Sequence, residues 1–123
     1  MEKIFESEYR FLCILWENEP VSSPKLVQLC SEELGWKKST TYTVIKKLSD
    51  KGIVKNENTI VSSLINKAEV DRQESEELLQ RTSRGHIPTF LAAFLKDRRL
   101  SREEADRIRQ LIDDAEEDGE GRF

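Results

Sequence analysis

From Gly35 to Lys55 the chain reads GWKKSTTYTVIKKLSDKGIVK, and no other run limits the fold so tightly. Its hydroxyl-rich start and glycine stop bracket a helix beginning near Ser39, whose hydroxyl can cap free amides, and ending near Lys51-Gly52. Helical spacing turns Thr41, Val44, Ile45 and Leu48 to one side and leaves Thr40, Thr43, Lys46 and Lys47 on the other. Glycine is followed at once by β-branched runs, Ile53 to Lys55 and Ile60 to Ile65, joined by Asn56-Glu57-Asn58-Thr59, a turn-forming composition. A helix with an apolar underside and a hydroxyl and lysine top therefore feeds directly into a hairpin.

Charge singles out the same stretch. It holds six lysines, Lys37, Lys38, Lys46, Lys47, Lys51 and Lys55, against one acid, Asp50, in a chain of formal charge -4. Residues 1–34 carry -4, residues 35–56 carry +5, residues 57–66 carry -1 and residues 67–123 carry -4. One segment alone can grip a polyanion.

Upstream, SEYRFLCILWEN (residues 7–18) sets Phe11, Leu12, Leu15 and Trp16 at helical spacing. After a break at residues 19–22, Ser23-Pro24 reads as cap and first-turn proline of a second amphipathic helix, with Leu26, Val27, Leu29, Cys30 and Leu34 inward and Gly35 at its end. Trp36 is expected to pack in the connection. Three helices and a hairpin make a winged helix-turn-helix pattern.

Downstream, Asn66-Lys67-Ala68-Glu69 resembles a capping box that opens a helix running to about Arg84, stopped by Gly85. A short helix from Pro88 carries Phe90, Leu91, Phe94 and Leu95. A last one, capped by Ser101-Arg102-Glu103-Glu104, carries Ala105, Ile108, Leu111, Ile112 and Ala115. Three short helices cannot close a core by themselves, so their apolar stripes either fold back onto the amino-terminal module or pair with the same region of a second copy of the chain; the second reading is favoured, because a helix-turn-helix module usually needs two half-sites. The fold class is mainly α with a small β-hairpin: a winged helix-turn-helix over residues 1–66 and a helical dimerisation region over residues 67–123, with an acidic tail from Glu116.

Several chemistries find no support. Cys13 and Cys30 lie on apolar helix faces without a C-x-x-C or Cys/His companion, and read as buried thiols of a reducing compartment. His86 is the single histidine, which cannot build a zinc site and suits a helix cap or a solvent-facing turn. No Walker loop, dinucleotide fingerprint or Ser/His/Asp arrangement occurs. The acids Glu74-Glu76-Glu77 and Glu116-Glu117-Asp118 read as solvated faces. The expectation is a non-enzymatic, cytoplasmic protein with no metal, no cofactor and no membrane insertion.

The order GWKKSTTYTVIKKLSDKGIVKNEN, preceded by ILWENEPVSSPKL and followed by LINKAEV and FLAAFLKDRRLSREEADRIRQLID, closely resembles the penicillinase-repressor family over residues 5–115. The resemblance implies a homodimeric transcriptional repressor of a β-lactamase or related antibiotic-resistance operon, with double-stranded operator DNA of dyad symmetry as its partner. Matching positions assign base reading to Ser39, Thr40, Tyr42, Thr43 and Lys47, and phosphate binding to Lys37, Lys38, Lys46, Lys51 and Lys55. The dimer interface falls on Leu78, Leu79, Phe90, Leu91, Phe94, Leu95, Ile108, Leu111 and Ile112. In inducible members a membrane-bound sensor with a metalloprotease domain triggers cleavage in the short helix, which matches Ala93-Phe94. Two departures stand out: the wing carries Glu57 and no glycine or basic residue at its turn, and the C-x-C pair of copper-responsive members is missing. The competing reading is a winged-helix adaptor that binds protein partners and reads no DNA sequence.

Overall fold

The computed structural model describes residues 2–116. Six helices and three short strands follow one another as α1 (Glu6–Asn18), β1 (Val21–Ser22), α2 (Ser23–Leu34), α3 (Lys38–Asp50), β2 (Val54–Glu57), β3 (Ile60–Ser63), α4 (Lys67–Ser83), α5 (Ile87–Leu95) and α6 (Arg102–Ala115). The expected mainly helical fold with a small sheet is what forms. Most of the acidic tail, from residue 117 onward, lies outside the described residues.

Two compact units divide the chain, Met1–Glu77 and Leu78–Phe123. The boundary expected between residues 66 and 67 falls at the start of α4; the division lies further on because Val70, in the second turn of α4, is fully buried and Tyr9 Oη donates to Asp71 at 2.6 Å.

In the first unit, α1, α2 and α3 bury one apolar side each against the sheet. Phe11, Leu12 and Leu15 from α1, Leu26 and Cys30 from α2, Leu48 from α3 and Val61 from β3 are fully buried together. Trp36 stacks parallel on Phe11 with ring centroids 6.3 Å apart, so the connection between α2 and α3 is packed as its sequence suggests. Trp16 donates its indole N–H to the Ile65 carbonyl at 3.0 Å, tying α1 to the exit from β3.

The sheet has the order β1-β3-β2, antiparallel throughout. The sequence gives residues 19–22 as a bare break, but Val21 pairs with Val61 and Ser22 with Ile60. Two residues are too few for an alternation to register. Glu19 reinforces this edge by accepting from both the Ser63 amide (2.7 Å) and its hydroxyl (2.8 Å). The hairpin turn is also tighter than its composition suggests. Asn56 and Glu57 continue β2, pairing with Val61 and Ile60, so that only Asn58 and Thr59 turn, with φ of 53° and 65°, the two-residue pattern that suits strand twist.

Helix ends differ from expectation by a residue or two. Ser22, one place before the expected Ser23, caps α2 by accepting from the Lys25 amide at 3.2 Å. At α3 the cap position belongs to Lys37, which makes no side-chain cap bond, and Ser39 falls inside the first turn. The exit from α3 is as read: Gly52 at φ +74° donates to the Ser49 carbonyl (3.0 Å) and Ile53 to the Leu48 carbonyl (2.9 Å), the paired bonds of a left-handed helix stop.

In the second unit, His86 caps α5 by accepting from the Thr89 amide, and Ser101 and Glu104 form the reciprocal capping box of α6. Neither α5 nor α6 buries a single residue. Phe90 and Phe94 stack 6.1 Å apart, yet Phe94 is 51% exposed and Leu111 and Ile112 are 50% and 52% exposed. Leu79, Phe90, Leu91, Leu95 and Ile108 are half-buried, and Leu78 is exposed.

Candidate nucleic-acid interface

The geometry of α3 follows from its spacing. Thr41, Val44, Ile45 and Leu48, three or four residues apart around the helix, are buried against the core, which fixes the helix by its underside and turns the residues between them outward. Ser39, Thr40, Tyr42, Thr43, Lys46 and Lys47 are all exposed, with Lys37 and Lys38 exposed at the entrance to the helix. Lys38 leans over the Tyr42 ring, 6.0 Å from its centroid. Lys46 approaches Asp50 at 3.6 Å with both side chains mostly in solvent, a pair too weak to withhold the lysine from another anion. Lys55 is exposed on β2.

This face therefore offers hydroxyls, a phenol and cations together on a helix anchored from below. Its first turn adds backbone donors, since no side chain caps the opening amides of α3, and amides at a helix start favour anions.

Lys51 stands apart from the other lysines. Its ammonium donates to both Glu8 carboxylate oxygens, at 2.8 and 3.0 Å, and to the Lys3 carbonyl at 2.8 Å. The Lys51 and Glu8 side chains are only 17% and 4% exposed. Three acceptors use all the donors of an ammonium group, so Lys51 has none left for a phosphate and leaves the phosphate-binding set named from sequence. Glu8 gave a signal that sequence reading passed over: it lies on the same stripe as Phe11, Leu12 and Leu15, and an acid on a buried stripe calls for a cation.

The wing is short. Ser22 of β1 pairs with Ile60, the first residue after the hairpin turn, and the Thr59 carbonyl accepts from the Ser23 amide at 2.8 Å. The turn is thereby tied to the start of α2. Asn56, Glu57 and Asn58 are exposed around it, with no cation among them.

Cys30 is buried and Cys13 half-buried, both free thiols; burial pushes the Cys30 thiol up. Lys67, 2.5 Å from Asp71, and the Tyr9 hydroxyl hold the Asp71 carboxyl below its usual range. Asp71 in turn raises the Tyr9 phenol. Among the described residues, no cluster of three or more His, Cys, Asp or Glu side chains is disposed to hold a metal ion, and no helix is long and apolar enough to cross a membrane.

Comparison with known proteins bears on the fold and the family. The comparison with curated proteins returned no match. Among solved structures, the chain is similar to a MarR/EmrR family transcriptional regulator from Acinetobacter sp. ADP1, with a TM-score of 0.50 and 20% identity over 90% of this chain and 72% of that one. That likeness establishes the fold. The family model described as penicillinase repressor matches residues 4–114, a span that takes in the core, the lysine and hydroxyl face of α3, the hairpin and the three helices beyond it; the chain belongs to the penicillinase repressor family.

Proposed function

We propose that the protein is a homodimeric repressor that binds a dyad operator through α3 of each protomer. The observation that carries this reading is the solvent-facing array on α3, set on a helix whose other side is wholly in the core. Ser39, Thr40, Tyr42, Thr43 and Lys47 would read base edges: hydroxyls donate to or accept from them, and a threonine methyl packs on a thymine methyl. Lys37, Lys38, Lys46 and Lys55 would hold phosphates, helped by the uncapped amides of the first turn. With Glu57 exposed at the wing, base recognition rests on the helix.

Support for dimerisation comes from the second unit, where Leu78, Phe94, Leu111 and Ile112 are exposed. Apolar area of that kind is stabilised when a second copy covers it. Two half-sites held at fixed spacing raise affinity far beyond one. In the reading the family supports, the regulated genes form a β-lactamase or related resistance operon in the cytoplasm of its host. A membrane sensor with protease activity then ends repression by cutting at Ala93-Phe94, both exposed on α5. Cleavage there would separate α3 from α6 and abolish the advantage of two linked half-sites.

The test is fluorescence anisotropy with DNA from upstream of the protein's own gene and a random duplex as control. Thr40→Ala and Thr43→Ala are expected to cost the preferred sequence about 1–3 kcal/mol each and the random duplex almost nothing. Equal losses on both duplexes would remove these residues from base reading. Binding to neither duplex would favour a protein-interaction adaptor. For induction, a repressor that leaves its operator in induced cells without shortening on a gel would contradict the cleavage step.

A further inference from the structure

We infer that the ion pair between buried Glu8 and half-buried Lys51 is a positioning device that sets the angle of α3 on the protein, and through it the sequence preference of the repressor. This inference rests on the proposal that α3 reads DNA. Lys51 is the residue that closes α3, one place before the left-handed Gly52 that redirects the chain into β2. Glu8 lies in the first turn of α1 and is itself buried. The ion pair thus clamps the far end of α3 to the start of α1.

The clamp draws in a third segment. The Lys51 ammonium also donates to the Lys3 carbonyl at 2.8 Å and lies 4.9 Å from the centroid of the Phe5 ring, while Glu8 accepts from the Phe5 amide at 2.9 Å. Every side-chain polar atom of the pair has a protein partner. A hydrophobic pair would hold the helices together but would tolerate sliding; a carboxylate bound through both oxygens by one ammonium fixes a direction as well.

Lever length makes this matter for DNA. Thr40 lies eleven residues before Lys51, about 16 Å along a helix rising 1.5 Å per residue. A tilt of roughly 3° about the Lys51 end moves Thr40 by about 1 Å, which is enough to spoil a hydrogen bond to a base edge. Phosphate contacts through long lysine side chains absorb such a shift. Loss of the clamp should therefore erode preference among sequences more than grip on any duplex.

The experiment compares wild type with Lys51→Met, Glu8→Gln, Lys51→Arg and the exchanged pair Glu8→Lys/Lys51→Glu. Each is titrated onto the preferred and the random duplex across a range of salt, at a temperature where its circular dichroism matches wild type. The expected result is a fall of about tenfold or more in the ratio of preferred to random affinity for Lys51→Met, a smaller fall for Glu8→Gln, and an unchanged salt slope for both. Lys51→Arg, which keeps the charge facing Glu8, should recover most of the ratio. Should Lys51→Met not fold, Glu8→Gln and Lys51→Arg decide the matter, and recovery by the exchanged pair counts as further support. The inference is overturned if the variants keep the wild-type ratio and lose only thermal stability. It is equally overturned if Lys51→Met weakens both duplexes alike and reduces the salt slope by about two, the mark of one lost phosphate contact in each protomer. Wild-type protein that prefers no duplex would overturn the DNA-binding reading itself, and the positioning role with it.

Discussion

Replacing Gly52 by alanine isolates the backbone cost of turning from α3 into the wing. Gly52 has φ +74°, and a Cβ added to it would meet nothing within 4 Å, so sterics with the rest of the fold contribute nothing. What is left is the intrinsic cost of a left-handed conformation for an L residue, about 1–2 kcal/mol, with the loss of glycine's extra freedom in the unfolded chain offsetting part of it. The net expectation is about 1 kcal/mol of destabilisation. With a urea m-value near 2 kcal/mol/M, the midpoint should fall by roughly 0.5 M at unchanged m. Fluorescence is a suitable probe because Trp16 and Trp36 both belong to the unit that contains the turn, and wild type and variant are compared at one protein concentration. Gly52→Asn should cost less, since asparagine tolerates the left-handed region, and Gly52→Val more. A Gly52→Ala protein as stable as wild type, or one weakened by 3 kcal/mol or more, would refute the reasoning. The first would deny the left-handed turn and the second would demand a packing contact the geometry lacks.

Other consequences follow from the same contacts. Leu48→Ala, at a fully buried site beneath α3, should destabilise by about 2–5 kcal/mol in urea unfolding. Trp16→Phe leaves the Ile65 carbonyl without its indole donor and should cost about 1–3 kcal/mol by the same assay. Asp71 titrates below its ordinary value, so its contribution is fully present above about pH 4 and is lost as pH falls through the lowered value. The stability gap between wild type and Asp71→Asn, followed by melting temperature against pH, should be flat above pH 5 or so and narrow below 4. Phe94→Asp places a charge on the proposed dimer surface and should yield a monomer by light scattering with weakened operator binding; a Phe94→Asp dimer would show that the interface lies elsewhere.

Much of this fold was legible because α3 combines two strong local signals. Its apolar spacing gave the buried side correctly at Thr41, Val44, Ile45 and Leu48, and Gly52 marked the stop. Charge singled out the same helix, because residues 35–56 carry +5 while the segments on either side are negative. What escaped was information held between segments. Strand β1 is two residues long and exists only through its pairing with β3, so no local pattern could announce it. The cap of α3 was misplaced because a serine within the first turn looks the same in sequence as one just before it. Lys51 was misjudged for a similar reason. On a helical wheel it is one more cation beside Lys47, and only the distance to Glu8, forty-three residues earlier, separates an anchor of the protein from a group free to meet a phosphate.

The most direct test of the central claim is the salt dependence of binding to the upstream DNA, with a random duplex alongside. If Lys37, Lys38, Lys46 and Lys55 of both protomers meet phosphates, the slope of log affinity against log salt should be about −7. A slope near that value is expected, together with a dyad sequence bound at least about a thousandfold more tightly than random DNA; a flat slope, or equal affinity for both duplexes, would contradict operator recognition through α3.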